Sequence, residues 1–287
     1  MSEIVWLASY PKSGNTWLRV FLSNFLRPNA VPADINELEF GVGAHDRALF
    51  DSALGVESAD LTEEEIECHR PAAFRYLAAR SDETLFLKTH DAYRSTFRGE
   101  PLIPADVTRG AIYLTRNPLD VAVSFAHHSG KTLEDAIGSL ALETLTTADS
   151  LVELKLHLKQ ILLSWSRHVS SWLDQSAVPV HVMRYEDMSH RPLETFCAAM
   201  RFLDLPEDVG RVRRAIDLSS FDILQQQEQA RGFKERSVTS FFRQGRTDAW
   251  RGVLTQEQVE RVINDHRPVM QRLGYLSESG CVIEAER

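Results

Sequence analysis

Short apolar runs alternate along the chain with longer segments of helical periodicity. The runs EIVWLAS, TLFLKTH, GAIYLTRNP and VPVHVMRYED each predict a buried strand, because each is short, apolar and bounded by turn residues. Directly after the first run, NTWLRVFLSNFLR repeats large apolar residues at i, i+4 and i+8, namely Trp17, Phe21 and Phe25. That spacing predicts a helix immediately after the first strand.

The remaining pattern is mostly helical. LTEEEIECHRPAAFRYLAAR begins with a Thr62 cap and an acidic first turn, which favour a helix N-terminus. PLDVAVSFAHH and the long stretch VELKLHLKQILLSWSRHVSSWLDQ also predict helices. Residues 28–59 predict loops and short helices, and the basic residues 231–252 show no clean periodicity. Within them, the polar, aperiodic residues 240–250 predict a mobile lid that becomes ordered on cofactor binding. Strands that alternate with helices predict one α/β domain over 1–287 with a central parallel sheet.

Composition narrows the class of protein. The hydrophobic fraction of 43% and the charged fraction of 25% are those of an ordinary globular protein. A formal net charge of −9 argues against a nucleic-acid partner, which requires a basic face. The cysteines have neither disulfide nor metal-ligand spacing, and the N-terminal apolar run is too short for a signal peptide. We therefore expect a cytoplasmic protein with no membrane partner.

The stretch SYPKSGNTWLR lies between the first predicted strand and the first predicted helix, which is a common place to bind phosphate. Gly14 lets the backbone approach an anion, and the neighbouring Ser13, Asn15 and Thr16 offer hydrogen bonds. Because Lys12 precedes Gly14, the order of residues is not that of a nucleotide triphosphatase loop. The stretch predicts a variant loop that binds a phosphate-like group without a metal, or else a plain turn with an incidental lysine.

Two further stretches carry reactive or cationic side chains at strand ends. FLKTH places Lys88 and His90 at the carboxyl end of a strand, where α/β sheets bind ligands, and with the same side-chain parity. TRNPLDVAVSF places Arg116 after the next strand and Ser124 in the following helix. Arginine suits phosphate recognition because its guanidinium donates two parallel hydrogen bonds.

These stretches, in this order, resemble the sulfotransferases that use 3′-phosphoadenosine-5′-phosphosulfate (PAPS) and release adenosine 3′,5′-bisphosphate (PAP). The resemblance extends from about residue 5 to about residue 275. It implies a P-loop-like three-layer fold and a 5′-phosphosulfate loop formed by Lys12, Ser13, Gly14, Asn15 and Thr16. It also implies that Arg116 and Ser124 hold the 3′-phosphate and that the Lys-Thr-His segment carries the catalytic base.

Weaker similarities extend the same resemblance. SFFRQGRTDAW matches the family's C-terminal segment at Arg243, Gly245 and Trp250, whereas Gln244 stands where the family has lysine. Because Gln244 replaces that lysine, one cationic contact to the 3′-phosphate is lost unless Arg246 supplies it. Asp248 and Ala249 stand where the family has Gly and Asp, so the loop conformation is expected to differ from the usual one. The resemblance implies an adenine site formed by Trp17, Tyr185, Ser219, Phe221 and Leu224.

The implied reaction is in-line sulfuryl transfer from PAPS to a hydroxyl, less often an amine, of a small-molecule acceptor. We expect His90 to act as general base, Lys12 to stabilise the leaving phosphate oxygen and Lys88 to contact the sulfuryl oxygens. Ser124 is expected to restrain Lys12, and no metal is required.

Several alternatives stay open at this stage. One is a Mg²⁺-dependent small-molecule kinase with a variant phosphate loop, and another is a nucleotide-binding protein without activity. The identity of the acceptor, the roles of His127 and His128, and the existence of a homodimer also stay open.

Overall fold

The computed structural model describes residues 3–27, 31–149, 155–235 and 240–283. It contains a five-stranded sheet in the order β2-β3-β1-β4-β7 and a two-stranded sheet formed by β5 and β6. Both β1 and β2 pair with β3 in parallel. The strands are β1 Ile4–Ser9, β2 Val42–Gly43, β3 Leu85–Thr89, β4 Thr108–Thr115, β5 Thr146–Thr147, β6 Gln160–Ile161 and β7 Val180–Arg184.

Helices flank this sheet, which gives the predicted α/β class. None of the helices in the described ranges is long and apolar enough to cross a membrane. The helices are α1 Asn15–Leu26, α2 Arg47–Leu54, α3 Glu63–Arg80, α4 Pro118–Ser129, α5 Leu133–Ala141, α6 Trp165–Leu173, α7 Tyr185–His190, α8 Pro192–Phe202, α9 Val209–Asp217, α10 Phe221–Arg231 and α11 Gln256–Arg272.

The four predicted strands are confirmed as β1, β3, β4 and β7, and the predicted first helix is α1. The Thr62 cap is also confirmed: its hydroxyl accepts from the backbone of Glu65, whose carboxylate accepts from the backbone of Thr62. This reciprocal pair satisfies two backbone donors that the first turn of α3 would otherwise leave open.

The long helix predicted over 152–175 is wrong in its first half. Of its described residues, 155–175, only Trp165–Leu173 is helical, and residues 152–154 lie outside the described residues. Leu163 adopts a positive φ of 62°, which an α-helix does not accommodate, and the Ser164 side chain caps the helix that follows. Leu158 and Leu162 are buried although neither lies in a helix, so their apolar spacing reflects burial in the core and not a helical face.

The chain divides into two compact units. The first unit takes the described parts of 1–10, 41–113 and 143–181, and the second takes those of 11–40, 114–142 and 182–287. The first unit has a core around Phe50, Ile66 and Leu158, and the second has a core around Val20 and Phe242. The single domain over 1–287 stays a prediction.

Candidate active site

The loop after β1 ends at an uncapped helix N-terminus in the second unit. Gly14 is the N-cap of α1 with φ 101°, and no side chain caps the helix. The first backbone N–H groups of a helix have no partner within the helix, so they attract anions. A Cβ atom on Gly14 would lie 2.8 Å from Cδ2 of Tyr185, so only glycine fits between this turn and that ring. Lys12 also has a positive φ of 70°.

Several buried polar atoms around this loop lack a hydrogen-bond partner within the described part of the chain. Among them are Oγ of Ser13, a fully buried residue, and Nε of Arg116. A buried polar atom left without a partner costs about 1–3 kcal/mol. Donors of this kind, next to an open helix N-terminus, fit an anionic ligand such as the phosphosulfate end of PAPS.

Arg116 is held in place by its surroundings in the second unit. Its guanidinium donates to the carbonyl oxygens of Lys12, at 3.4 Å, and of Arg246, at 3.0 Å. It also lies 4.3 Å from the centroid of the Tyr185 ring. A guanidinium fixed by carbonyls and an aromatic face is oriented in advance for an anion.

Three arginines form a cationic cluster, which we define as Arg116, Arg243 and Arg246. Burial, followed by the charges of Arg246 and Arg116, lowers the pKa of Arg243. The pKa of His127 is lowered by burial and by the charge of Arg243. Because like charges are gathered here, a multiply charged anion would relieve their repulsion. Gln244, which lies between two of these arginines in sequence, is exposed.

Aromatic rings line the start of α1. Trp17 lies edge-on to Tyr185 with ring centroids 5.8 Å apart, and Tyr185 is buried. The ring of Phe241 lies 3.7 Å from Nζ of Lys12, and His128 packs edge-on against the same ring at 5.9 Å. No role was predicted for Phe241, although it is part of the matched C-terminal segment.

The other residues that are predicted to bind the donor nucleotide differ in how far they are buried. Ser219 is fully buried, and its hydroxyl donates to the Ala215 carbonyl and accepts from Asn24. Leu224 belongs to the core of the second unit, with Phe221 packed against it. A Cβ atom on Gly245 would lie 2.1 Å from the Phe221 ring, so this turn requires glycine. Ser124 is half-buried on α4. The adenine-binding and restraining roles of these residues stay predictions.

Two buried carboxylates anchor the lid segment, which we define as residues 240–250. Glu228 on α10 accepts from the Ser240 hydroxyl and from the backbone of Phe241 and Phe242. At the other end, Asp120 on α4 accepts from the backbone N–H groups of Asp248 and Trp250. The sequence predicted neither anchor, since an isolated carboxylate on a helix usually faces solvent.

His90 directly follows β3 in the first unit, and one of its ring nitrogens forms a hydrogen bond to the backbone. Its Nδ1 lies 2.7 Å from the carbonyl oxygen of Ser9, which can only accept, so Nδ1 carries the proton. The lone pair of the neutral ring is therefore on Nε2. The backbone N–H of His90 donates to the Gln160 side chain, which fixes the strand end. Lys88, two residues earlier, is half-buried.

A second, buried histidine supports this strand end. Nε2 of His168 donates to the His90 carbonyl at 3.0 Å, and Nδ1 accepts from the Tyr113 hydroxyl at 2.8 Å. Burial lowers the pKa of His168 to about 4, so the ring is neutral at neutral pH. The adjacent Asp91 forms a buried ion pair with Arg70 at 2.7 Å. These contacts hold the backbone that carries His90.

Within the described ranges, no group of three or more His, Cys, Asp or Glu side chains is arranged to hold a metal ion.

Comparison with known protein sequences identifies one family. A family model described as a sulfotransferase domain matches residues 2–274. Cytosolic sulfotransferase 1 of Arabidopsis thaliana is 25% identical over 272 residues, which cover 89% of this chain and 75% of that protein. Luciferin sulfotransferase of Photinus pyralis is 25% identical over 284 residues, which cover 90% of this chain and 69% of that protein.

Comparison with solved structures supports the fold. A mouse sulfotransferase solved as a complex with PAP has a TM-score of 0.61 and 18% sequence identity, over 94% of this chain and 84% of that chain. The structural similarity confirms the predicted α/β fold class.

Proposed function

The chain belongs to the sulfotransferase family, and we propose that it transfers a sulfuryl group from PAPS to a hydroxyl of a small-molecule acceptor, with an amine as the less favoured acceptor. The observation that carries this proposal is the anion site of the second unit. There the uncapped start of α1, the buried hydroxyl of Ser13 and the cationic cluster occur together. The mouse relative was solved with PAP, which supports the same donor here.

We propose that the residues of the second unit bind the donor nucleotide. Arg116 and Arg243 bind the 3′-phosphate, with Ser124 as a further donor, and Arg246 supplies the charge that Gln244 lacks. The turn at Gly245 packs on Phe221 and presents its backbone to the same phosphate. The proposed donor-binding residues are Lys12, Ser13, Gly14, Asn15, Thr16, Trp17, Arg116, Ser124, Tyr185, Ser219, Phe221, Leu224, Arg243, Gln244 and Gly245.

PAPS, when bound, supplies the sulfuryl group, and PAP leaves through its 5′-phosphate oxygen. We propose that Nε2 of His90 takes the proton from the acceptor hydroxyl, because Nδ1 already donates to Ser9. Lys12 neutralises charge on the leaving oxygen, and Lys88 neutralises charge on the sulfuryl oxygens. Each such contribution is typically worth about 2.7–4 kcal/mol of transition-state stabilisation. Ser124 restrains Lys12 before the acceptor binds.

The first experiment separates this function from that of a kinase or a silent nucleotide-binding protein. Thermal shift should show stabilisation by PAP, with a smaller effect of ATP–Mg²⁺. Incubation with PAPS and a panel of hydroxyl acceptors should yield a sulfated product by mass spectrometry, at a rate that EDTA does not change. Stabilisation by ATP–Mg²⁺ alone, together with phosphorylated product, would establish the kinase instead.

A variant at the proposed 3′-phosphate site tests the donor assignment. Arg116→Ala should raise the Kd for PAP by about 10-fold or more, because it removes a charge-assisted contact worth about 1.5–3 kcal/mol. The matched control is Arg213→Ala, which removes an exposed arginine from α9 in the same unit. Equal Kd values for PAP in the wild-type protein and in Arg116→Ala would remove this residue from the site.

The cytoplasmic location and a homodimer stay predictions. The proposed partner is a small molecule, and no nucleic acid or membrane partner is proposed.

A further inference from the structure

A buried carboxylate in the second unit is hydrogen-bonded to the backbone next to Arg116. Glu186, on α7, is only 5% exposed, and its Oε1 accepts from the backbone N–H of Asn117 at 2.9 Å. That N–H belongs to the peptide group that joins Arg116 to Asn117, between the end of β4 and the start of α4. Asn117 is also the N-cap of α4, where its side chain accepts from the backbone of Leu119. The contact from Glu186 therefore fixes the backbone from which the Arg116 side chain extends.

A second donor and two cations lie near the same carboxylate. Its Oε2 accepts from the hydroxyl of buried Tyr275 at 3.2 Å, and the Arg184 guanidinium lies 4.6 Å from the centroid of the Tyr275 ring. Burial raises the pKa of Glu186, whereas the N–H of Asn117 and the charges of Arg116 and Arg184 act in the opposite direction. These donors and cations favour the anionic form, which burial alone would disfavour. Glu186 is thus a buried, hydrogen-bonded countercharge to Arg116.

The adjacent residue, Tyr185, contacts the other end of the same arginine. Its ring centroid lies 4.3 Å from the guanidinium carbon of Arg116. The carbonyl oxygens of Lys12 and Arg246 accept from that guanidinium at 3.4 Å and 3.0 Å. Arg116 is therefore restrained at its backbone by Glu186 and at its guanidinium by Tyr185 and the two carbonyls. A long side chain that is oriented in advance loses less conformational entropy when it binds an anion.

We propose that Glu186 is a positioning residue for donor selection, whose carboxylate holds Arg116 where it discriminates between nucleotides with and without a 3′-phosphate. The inference rests on the proposed function, in which Arg116 binds that phosphate. Glu186 acts through the Arg116–Asn117 peptide and through its charge, so it needs no contact with the nucleotide. A displaced Arg116 would lower the affinity only for ligands that carry the 3′-phosphate.

The test measures affinity for two nucleotides that differ only in the 3′-phosphate. In the wild-type protein, calorimetric titration should show PAP binding at least about 10-fold more tightly than adenosine 5′-monophosphate (AMP), because the 3′-phosphate adds charge-assisted hydrogen bonds. In Glu186→Gln we expect the Kd for PAP to rise by about 3- to 10-fold, since an amide is a weaker acceptor than a carboxylate and supplies no charge. The Kd for AMP should not change, because AMP lacks the phosphate that Arg116 binds.

Further variants separate positioning from a purely structural role. In an Arg116→Ala background, Glu186→Gln should leave the Kd for PAP unchanged, because the side chain through which it acts is gone. Tyr275→Phe removes one donor from the carboxylate, so it should raise the Kd for PAP by about 2- to 5-fold and leave that for AMP unchanged. The matched control is Asp187→Asn, at the next position on α7, where the carboxylate pairs with exposed Arg191. Both Kd values of this control should equal those of the wild type.

The outcomes distinguish failure of the inference from failure of the function. The positioning role would be overturned by a Kd for PAP that does not rise in Glu186→Gln, by an equal rise for AMP, or by a further rise in the Arg116→Ala background, while PAP binding stands. If Glu186→Gln does not fold, Tyr275→Phe decides by the same comparison of the two nucleotides. Equal Kd values for PAP and AMP in the wild-type protein would overturn the 3′-phosphate site and the inference with it.

Discussion

A backbone contact sets the orientation of His90, the proposed general base. The Ser9 carbonyl fixes the tautomer, because it accepts a hydrogen bond from the N–H group at Nδ1, so that the lone pair of the neutral ring is on Nε2. Ser9 is the last residue of β1, and β1 pairs with β3, the strand that His90 follows. The orientation of the proposed base is therefore a consequence of strand pairing.

Replacement of the proposed base should affect chemistry more than binding. In His90→Ala we expect kcat to fall by about 100-fold or more, the usual contribution of a positioned general base, while the Kd for PAP stays unchanged. Steady-state kinetics and calorimetric titration with PAP measure the two quantities. His69→Ala, at an exposed site on α3, serves as the control. A kcat equal to that of the wild type would exclude His90 as the base.

Gln244 offers a gain-of-function test in the second unit. The residue is exposed next to Arg243, and the family resemblance expects lysine there. Gln244→Lys should lower the Kd for PAP by about 2- to 5-fold, since one exposed charge contact is worth about 0.2–1 kcal/mol. The gain should shrink at high salt because exposed charges are screened. A Kd that rises would mean that the lysine only adds to the repulsion among the arginines.

At the scale of elements, the lid segment is attached to helices at both ends. Glu228 on α10 accepts hydrogen bonds from Ser240, Phe241 and Phe242, and Asp120 on α4 accepts from Asp248 and Trp250. Between these anchors lie Arg243, Gln244 and Gly245. The geometry of the proposed 3′-phosphate contacts thus depends on two carboxylates that need not touch the ligand.

Weakening one anchor should loosen the lid without changing the donor contacts directly. In Glu228→Gln we expect faster amide exchange over residues 240–250 and a Kd for PAP raised by about 3- to 10-fold, because hydrogen bonds to a charged acceptor are stronger than those to an amide. Hydrogen–deuterium exchange gives the first readout and calorimetry the second. Asp222→Asn, on the same helix, is the control. Unchanged exchange in the lid would show that Glu228 is not an anchor.

At the scale of the whole molecule, buried histidines make stability depend on pH. Burial lowers the pKa of His168 and of His266 to about 4. An unfolded histidine titrates near pH 6.5, so between these values the unfolded chain binds more protons than the folded one. The contribution of each ring to stability is therefore complete above pH 6.5 and is lost as the pH falls towards 4.

The expected loss is measurable by urea unfolding. For each ring, the free energy of unfolding should drop by about 2 kcal/mol between pH 7 and pH 5. His266→Gln should lose one such contribution, so its stability should change less over this interval than that of the wild type. The comparison of slopes is unaffected by an overall loss of stability in the variant. Identical slopes would mean that His266 titrates normally in the folded state.

Local signals in the sequence were enough for the main elements. The strands β1, β3, β4 and β7 were predicted because buried parallel strands are short apolar runs, and Thr62 identified the start of α3 because capping chemistry is local. By contrast, β2 has only two residues and no apolar run, so it was not predicted. The apolar residues of 155–164 have helical spacing, although the helix begins only at Trp165. Short edge strands and loops depend on distant partners, which periodicity does not contain.

By itself, the sequence determined the α/β class and the sulfotransferase family and predicted the phosphate loop, because these follow from contiguous residues and their order. Only the tertiary structure decided that Nδ1 of His90 contacts the Ser9 carbonyl, that Phe241 covers Lys12, and that Glu228 and Asp120 anchor the lid. Each of these features joins residues far apart in the chain. Hydrogen bonds and packing depend on distances in space, which the order of residues does not specify.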